Sequence, residues 1–183
     1  MQSKAVELAS NDFFVIILGI DPAIRTSGYG VIECTEKGEI KVLDCGVIVN
    51  KPKMLHTECL RRIAGGVAEL LKTYKIDCAA IEEPFVGKNS KTAIILGMAR
   101  GAFLAKLAEN DIPVYSYSAR LAKKAAVGNG SAEKEQVALM MAAQFGIEVE
   151  NILLDATDAL AIAICHAQYG GTTLKQTLVK REV

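Results

Sequence analysis

Four carboxylates in this 183-residue chain stand where the chemistry of a site would need them: Asp21, Glu82, Asp155 and Asp158. Asp21 closes an apolar run, Phe14–Ile20, at the point where the chain leaves a strand. Glu82 holds the equivalent place after Cys78–Ile81. Strand ends are where ligand crevices form in sheets of this kind. Asp155 and Asp158 are three apart at a helix start, so both project from one face. Taken singly, three of them have plainer readings. Asp-Pro is a common turn, a Glu at a strand end is usually solvated, and Asp155 suits a helix N-terminus as a cap. Asp158 is harder to set aside. The Ala159-Leu160-Ala161-Ile162-Ala163-Ile164 that follows marks a packed helix, on which a carboxylate needs a partner.

If the four converge, mutual repulsion raises their pKa values unless cations neutralise them. No Arg, Lys or His within these motifs supplies that balance. Hard divalent cations would, and Mg²⁺ typically takes one or two carboxylates plus phosphate oxygens. Carboxylates without His or Cys favour Mg²⁺, with Mn²⁺ as a substitute, over zinc. Two such ions in one site can activate water and stabilise the leaving oxygen of a phosphodiester. The expected chemistry is therefore metal-assisted phosphodiester hydrolysis, and it depends on convergence in space.

The elements that must bring the four together can be read from periodicity. Three β-branched-rich runs, Phe14–Ile20, Gly28–Cys34 and Ile40–Val49, are closely spaced and separated by turn residues, which predicts an antiparallel meander. Helical spacing of Leu55, Cys59, Ile63, Val67, Leu70 and Leu71 predicts a helix over Met54–Tyr74. A fourth strand, Cys78–Ile81, and a helix over Ser90–Glu109 with Asn89 as its N-cap follow. Pro113–Tyr117 reads as a fifth strand. Gly128-Asn129-Gly130 reads as a turn, with Ser131 capping a helix to about Phe145, and the last helix starts near Asp155. The pattern predicts an α/β fold, a mixed five-stranded sheet flanked by helices. Residues 1–13 read as an N-terminal extension, 14–169 as one domain, and 170–183 as a flexible polar tail.

Composition narrows the function classes. The hydrophobic fraction of 51% argues against disorder. The formal net charge is zero, which is not the balance of a protein held to its ligand mainly by phosphate attraction. Locally, however, residues 85–136 hold eight basic side chains against four acidic ones, a patch suited to an anionic ligand. The five cysteines are scattered and form no C-x-x-C, so thiolate-metal and disulfide frameworks are not expected. The run Phe13–Leu18 is too short to span a bilayer and follows acidic rather than basic residues. A cytoplasmic protein with no membrane partner is the expectation.

Five segments in register carry a family resemblance. Ile17-Leu18-Gly19-Ile20-Asp21-Pro22 with Gly28-Tyr29-Gly30-Val31-Ile32 resembles the opening strand and hairpin of the RuvC family of crossover-junction endonucleases. Ala80-Ile81-Glu82, then Phe85 and Lys88-Asn89, resembles its second motif, and Gly97-Met98-Ala99-Arg100-Gly101 the segment after it. Val127 to Lys134, then Gln136-Val137, resembles its glycine turn and helix. Asp155-Ala156-Thr157-Asp158-Ala159-Leu160-Ala161 resembles its last acidic motif. The matches keep order and spacing from about Val15 to His166.

The resemblance implies an RNase H-like fold, a homodimer, and paired nicking of a four-way (Holliday) DNA junction in recombination and repair, assisted by a branch-migration helicase complex. It places catalytic and metal-binding roles on Asp21, Glu82, Asp155 and Asp158. The family acid directly follows Ala-Ile, which selects Glu82 over Glu83, and strand alternation allows only one of these neighbours to face a site. Phe85 matches an aromatic that stacks on unpaired bases. Lys123 and Lys134 match lysines that hold the scissile backbone. Lys88, Asn89 and Arg100 are further DNA contacts it implies. His166 lies on the stripe of Asp158, two turns on, and reads as a structural histidine. Two positions depart from the pattern. Ala23 stands where many members have Gly, leaving the loop beside Asp21 in question, and Ala122 replaces a larger β-branched residue. Other readings are an RNase H-like nuclease for RNA–DNA hybrids or RNA, a non-catalytic junction-binding module, and a sugar-kinase-like ATPase, for which the chain is short.

Overall fold

Alternation along the first strand sorts its side chains between two layers. The computed structural model describes residues 14–84, 89–147 and 153–170. The expectations for the N-terminal extension and for the tail beyond Gly170 lie outside the described residues, as do Phe85 and Lys88. In β1 (Phe14–Asp21), Ile17 packs into one core and Leu18 and Ile20 into another on the opposite side. The period of two requires this, and it puts Gly19 and Asp21 on the same face as Ile17.

The sheet has five strands in the order β3-β2-β1-β4-β5. β1, β2 (Thr26–Thr35) and β3 (Ile40–Val49) form the expected antiparallel meander. β4 (Cys78–Glu82) and β5 (Val114–Tyr117) add in parallel on the other side of β1. One face is covered by α1 (His56–Thr73) and α2 (Ser90–Ala108), through Ile63, Val67, Phe103 and Leu107. The other carries α3 (Ala119–Val127), α4 (Lys134–Phe145) and α5 (Leu154–Tyr169). The mixed sheet flanked by helices is the fold expected above. All five cysteines are free. Among the described residues, no helix is long and apolar enough to cross a membrane.

The helix capped by Asn89 is as expected, the Asn89 side chain accepting from Thr92 N at 3.3 Å. Two local readings need correction. α3 has no counterpart among the predicted elements, yet Ser118 caps it by accepting from Leu121 N at 3.3 Å, and Gly128 ends it at φ 76°. Ser131 does not cap α4. Asn129 Oδ1 takes the Ser131 N–H at 3.0 Å and the Asn129 carbonyl takes that of Ala132, so the turn continues and Glu133 becomes the N-cap.

α5 lies closer to the sheet than most helices could. A Cβ at Gly28 would collide with the Asp155 carbonyl, and one at Gly19 with the Ala159 carbonyl. Small residues on both sides thus let the helix backbone rest on the strands. Its face of Ala156, Ala159, Leu160 and Ala163 is buried there.

Candidate active site

Asp21 and Glu82 end adjacent parallel strands, Ile20 being level with Ile81. Alternation turns both toward α5, since Gly19 and Ala80 precede them by two. The N-terminus of α5 lies over the same edge, because Asp21 pairs with Gly28 and the Asp155 backbone presses on Gly28. Carboxylate oxygens of Asp21, Asp155 and Asp158 consequently lie within 4.8 Å of one another. Glu82 joins through a hydrogen bond with Asp21. The four predicted carboxylates converge, from two strands and one helix. Glu83 is exposed, with its N–H bound to the Tyr117 carbonyl at 2.9 Å.

The cluster behaves as crowded carboxylates should. Burial first, then the charge of Glu82, push Asp21 from 3.8 up to about 8. Burial also raises Glu82, while the hydrogen bond donated by protonated Asp21 pulls it back down. Asp155 sits in the first turn of α5 rather than at its cap, which is Leu153. There it faces the positive end of the helix.

One basic residue does supply charge balance, from outside the acidic motifs. Lys134, at the start of α4, places its ammonium 2.5 Å from Asp158 and 3.4 Å from Asp155. These carboxylates hold its pKa above the usual lysine value against the desolvation that lowers it. Lys123 reaches from α3 to donate to the Ala132 carbonyl at 2.7 Å. Glu82, Lys123, Lys134 and Asp158 line one pocket, floored by Ala122, Ala161 and Ile162. A larger side chain at 122 would encroach on it.

The loop after Asp21 is fixed by residues that sequence reasoning missed. Buried Ser27 donates to the Ala23 carbonyl at 2.5 Å and accepts from its N–H at 3.2 Å. Buried Asn50 donates from its side chain to the Ile24 carbonyl at 2.8 Å. Ala23 is not among the residues with positive φ, so it fits here without the strain that a lost glycine can cause. The Ser27–Ala23 spacing was a local signal. Asn50 gave none, since its partners come from a distant strand end.

Arg100 is turned inward. Its guanidinium donates to Ser116 Oγ at 2.7 Å and to the Glu82 carbonyl at 3.5 Å, tying α2 to the ends of β5 and β4. His166 is 3% exposed, its Nδ1 2.8 Å from Tyr117 Oη and its ring stacked on Tyr115 at 4.5 Å, as a structural histidine would be. Burial lowers its pKa to about 4.

The oxygen-only donor set fits a hard divalent cation, with Asp21, Asp155 and Asp158 within reach of one ion. Comparison with known proteins agrees with this geometry. The family model described as crossover junction endodeoxyribonuclease RuvC matches residues 17–166. The RuvC of Chlorobaculum parvum is 40% identical over 158 residues, 86% of this chain and 84% of its own. That of Actinobacillus succinogenes is 45% identical over 152 residues, 83% of this chain and 78% of its own. The structure of T. thermophilus RuvC in complex with Holliday junction substrate superposes with a TM-score of 0.76 at 35% identity, covering 85% of this chain and 94% of that one. The yeast mitochondrial Holliday junction resolvase, 12% identical with a TM-score of 0.59 over 90% of this chain and 84% of its own, shares the fold.

Proposed function

Since the chain belongs to the RuvC family of crossover junction endodeoxyribonucleases, we propose that it resolves four-way DNA junctions in recombination and repair. It does so by hydrolysing phosphodiesters on paired strands, leaving 5′-phosphate and 3′-hydroxyl ends. The observation that carries this reading is the meeting of Asp21, Asp155 and Asp158 within 4.8 Å, with Glu82 bonded to Asp21 and two lysines lining the same pocket as Glu82 and Asp158.

Asp21, Glu82, Asp155 and Asp158 would hold Mg²⁺, two ions per site, with Mn²⁺ able to substitute. The bound cations supply an activated water and charge stabilisation at the leaving oxygen. The remaining roles belong to side chains. Asp21 and Glu82 give up their shared proton. Lys134 and Lys123, which line the pocket, pair with phosphate oxygens and offset the charge that develops during attack. Phe85 stacks on an unpaired base, and Lys88 and Asn89 contact the backbone beside it. Arg100, bonded to the Glu82 carbonyl, acts first as a positioning residue, with any contact to DNA made through its remaining donors. The nuclease domain runs from 14 to 169. The chain works in the cytoplasm as a homodimer, alongside a branch-migration helicase complex.

The test is cleavage of a synthetic four-way junction with Mg²⁺, beside a linear duplex and an RNA–DNA hybrid. Symmetric nicks in the junction alone are expected. Asp21→Asn should lower the rate about 10³-fold, because bound cations contribute several kcal/mol and each 1.4 kcal/mol is tenfold. An intact junction with wild-type protein, or full activity in Asp21→Asn, defeats the reading. Preference for the hybrid points to the RNA-processing alternative.

A further inference from the structure

A second basic surface adjoins the site, and neither the acidic cluster nor the patch at 85–136 includes it. Between Asn50 and Arg62 the chain carries Lys51, Lys53, Arg61 and Arg62 against one acid, Glu58. In a molecule of zero net charge this is a marked local excess. Glu58 is occupied at the start of α1, accepting from Leu55 N at 3.3 Å.

The strap from Val49 to Met54 is braced by two guanidinium groups. Arg25 Nη1 donates to the Lys51 carbonyl at 2.8 Å and the Met54 carbonyl at 3.1 Å. Arg62 Nη2 donates to the Val49 carbonyl at 3.2 Å, and its Nε to Asn50 Oδ1 at 3.1 Å. Three carbonyls of the strap are thus already engaged, while the Lys51 and Lys53 side chains are exposed. Among the described residues neither ammonium has a partner. A braced backbone carrying free ammonium groups is preorganised for an anion, because little ordering remains to be done on binding.

Its position selects the anion. Asn50 N donates to the Arg25 carbonyl at 2.7 Å, so the strap lies against the loop that leaves Asp21. Arg25 is four residues from Asp21, at most about 14 Å along the chain. Successive phosphates of a duplex strand advance about 3.4 Å along the axis, so the span from Asp21 to Arg25 covers roughly four nucleotides, and the strap lies next to Arg25.

Resting on the reading above, we infer that Lys51 and Lys53 grip the backbone phosphates of a duplex arm within a few nucleotides of the scissile bond. They position the arm and read no sequence, as phosphate contacts do.

The experiment measures junction affinity against salt by fluorescence anisotropy, in an Asp21→Asn background with Mg²⁺ so that the DNA stays whole. Each phosphate contact contributes about 0.9 to the slope of log affinity against log salt. Lys51→Gln/Lys53→Gln should therefore flatten the slope by about 1.8, and weaken junction and linear duplex in equal proportion. Lys75→Gln, an exposed lysine before β4 at the opposite end of the sheet, should leave the slope unmoved. An unchanged slope in the double variant overturns the strap while leaving the nuclease reading intact. Failure of wild-type protein to prefer or cut the junction sinks that reading and this one with it. A weakening confined to the junction would also overturn the proposal, since it would make the lysines readers of the crossover.

Discussion

At the residue scale, two buried groups titrate in opposite senses, and their signs can be separated. Asp21 has its proton held up to about 8 in the folded chain against 3.8 in the unfolded one. The native state carries the extra proton between those limits, so this contribution is full below 3.8 and is lost as pH rises toward 8. His166 is the reverse case. The unfolded imidazole takes a proton near 6.5 and the folded one only near 4, so its contribution is present above 6.5 and is lost as pH falls toward 4. Each can tilt stability by at most about 1.4 kcal/mol per pH unit. With chelator present, the urea midpoint should change little between about pH 4.5 and 6, where the slopes oppose, and fall from about 6.5 to 8. Asp21→Asn should abolish the upper decline, and His166→Gln should leave midpoints rising toward acid. A flat upper limb in wild type would show that Asp21 is not protonated. Because a cation must displace that proton, the rise in Tm on adding Mg²⁺ should grow with pH in wild type and not in Asp21→Asn.

At the element scale, the site depends on how closely α5 approaches the sheet. Gly19→Ala puts a methyl group against the Ala159 carbonyl and the Ala163 backbone. Overpacking of this kind costs about 1–3 kcal/mol. Lifting the helix would also part Asp158 from Asp21, so Mg²⁺-induced stabilisation should fall as well. Gly65 in α1 has nothing within 4 Å of its would-be Cβ. Gly65→Ala should therefore stabilise the chain by about 0.5–1 kcal/mol through helix propensity. Chemical denaturation of both variants checks the pair, and a stable Gly19→Ala with normal Mg²⁺ response would refute the close-packing account. The elements themselves were largely legible. Continuous apolar runs showed β1 and β4, and a long apolar helix behind Asp158 announced α5. α3 was not legible, because nine residues with only Leu121 and Val127 as large apolar side chains make too short a run to mark a helix, amphipathic though that run is. Strand ends and helix spacing marked the carboxylates as candidates, and the family resemblance selected Glu82 over Glu83. Their counter-ion was not, since Lys134 stands 21 residues before Asp155 and meets it only once α4 packs beside α5.

At the scale of the whole molecule, the question is how a chain with one carboxylate cluster among its described residues completes a reaction that needs two cuts. One incision in a four-way junction leaves the arms joined, so separate duplexes require a second cut before the DNA escapes. Among its described residues a single chain offers no second site for it. Two copies related by a twofold axis would present two clusters to the two symmetric strands, which is why we propose a homodimer on chemical grounds as well as from the family resemblance. A supercoiled plasmid with an extruded cruciform distinguishes the cases. Paired incision within one encounter gives a linear product, whereas independent incisions release a nicked circle first. Wild-type protein should give mainly linear DNA. Mixing it with an equal amount of Asp21→Asn should shift the product toward nicked circles, because mixed dimers hold one working cluster each. With free exchange, about half of the dimers are mixed and a quarter remain wild type, so the linear product from single encounters should drop to about a quarter. A chain acting as independent monomers would lose only half its rate, with no change in the ratio of linear to nicked DNA.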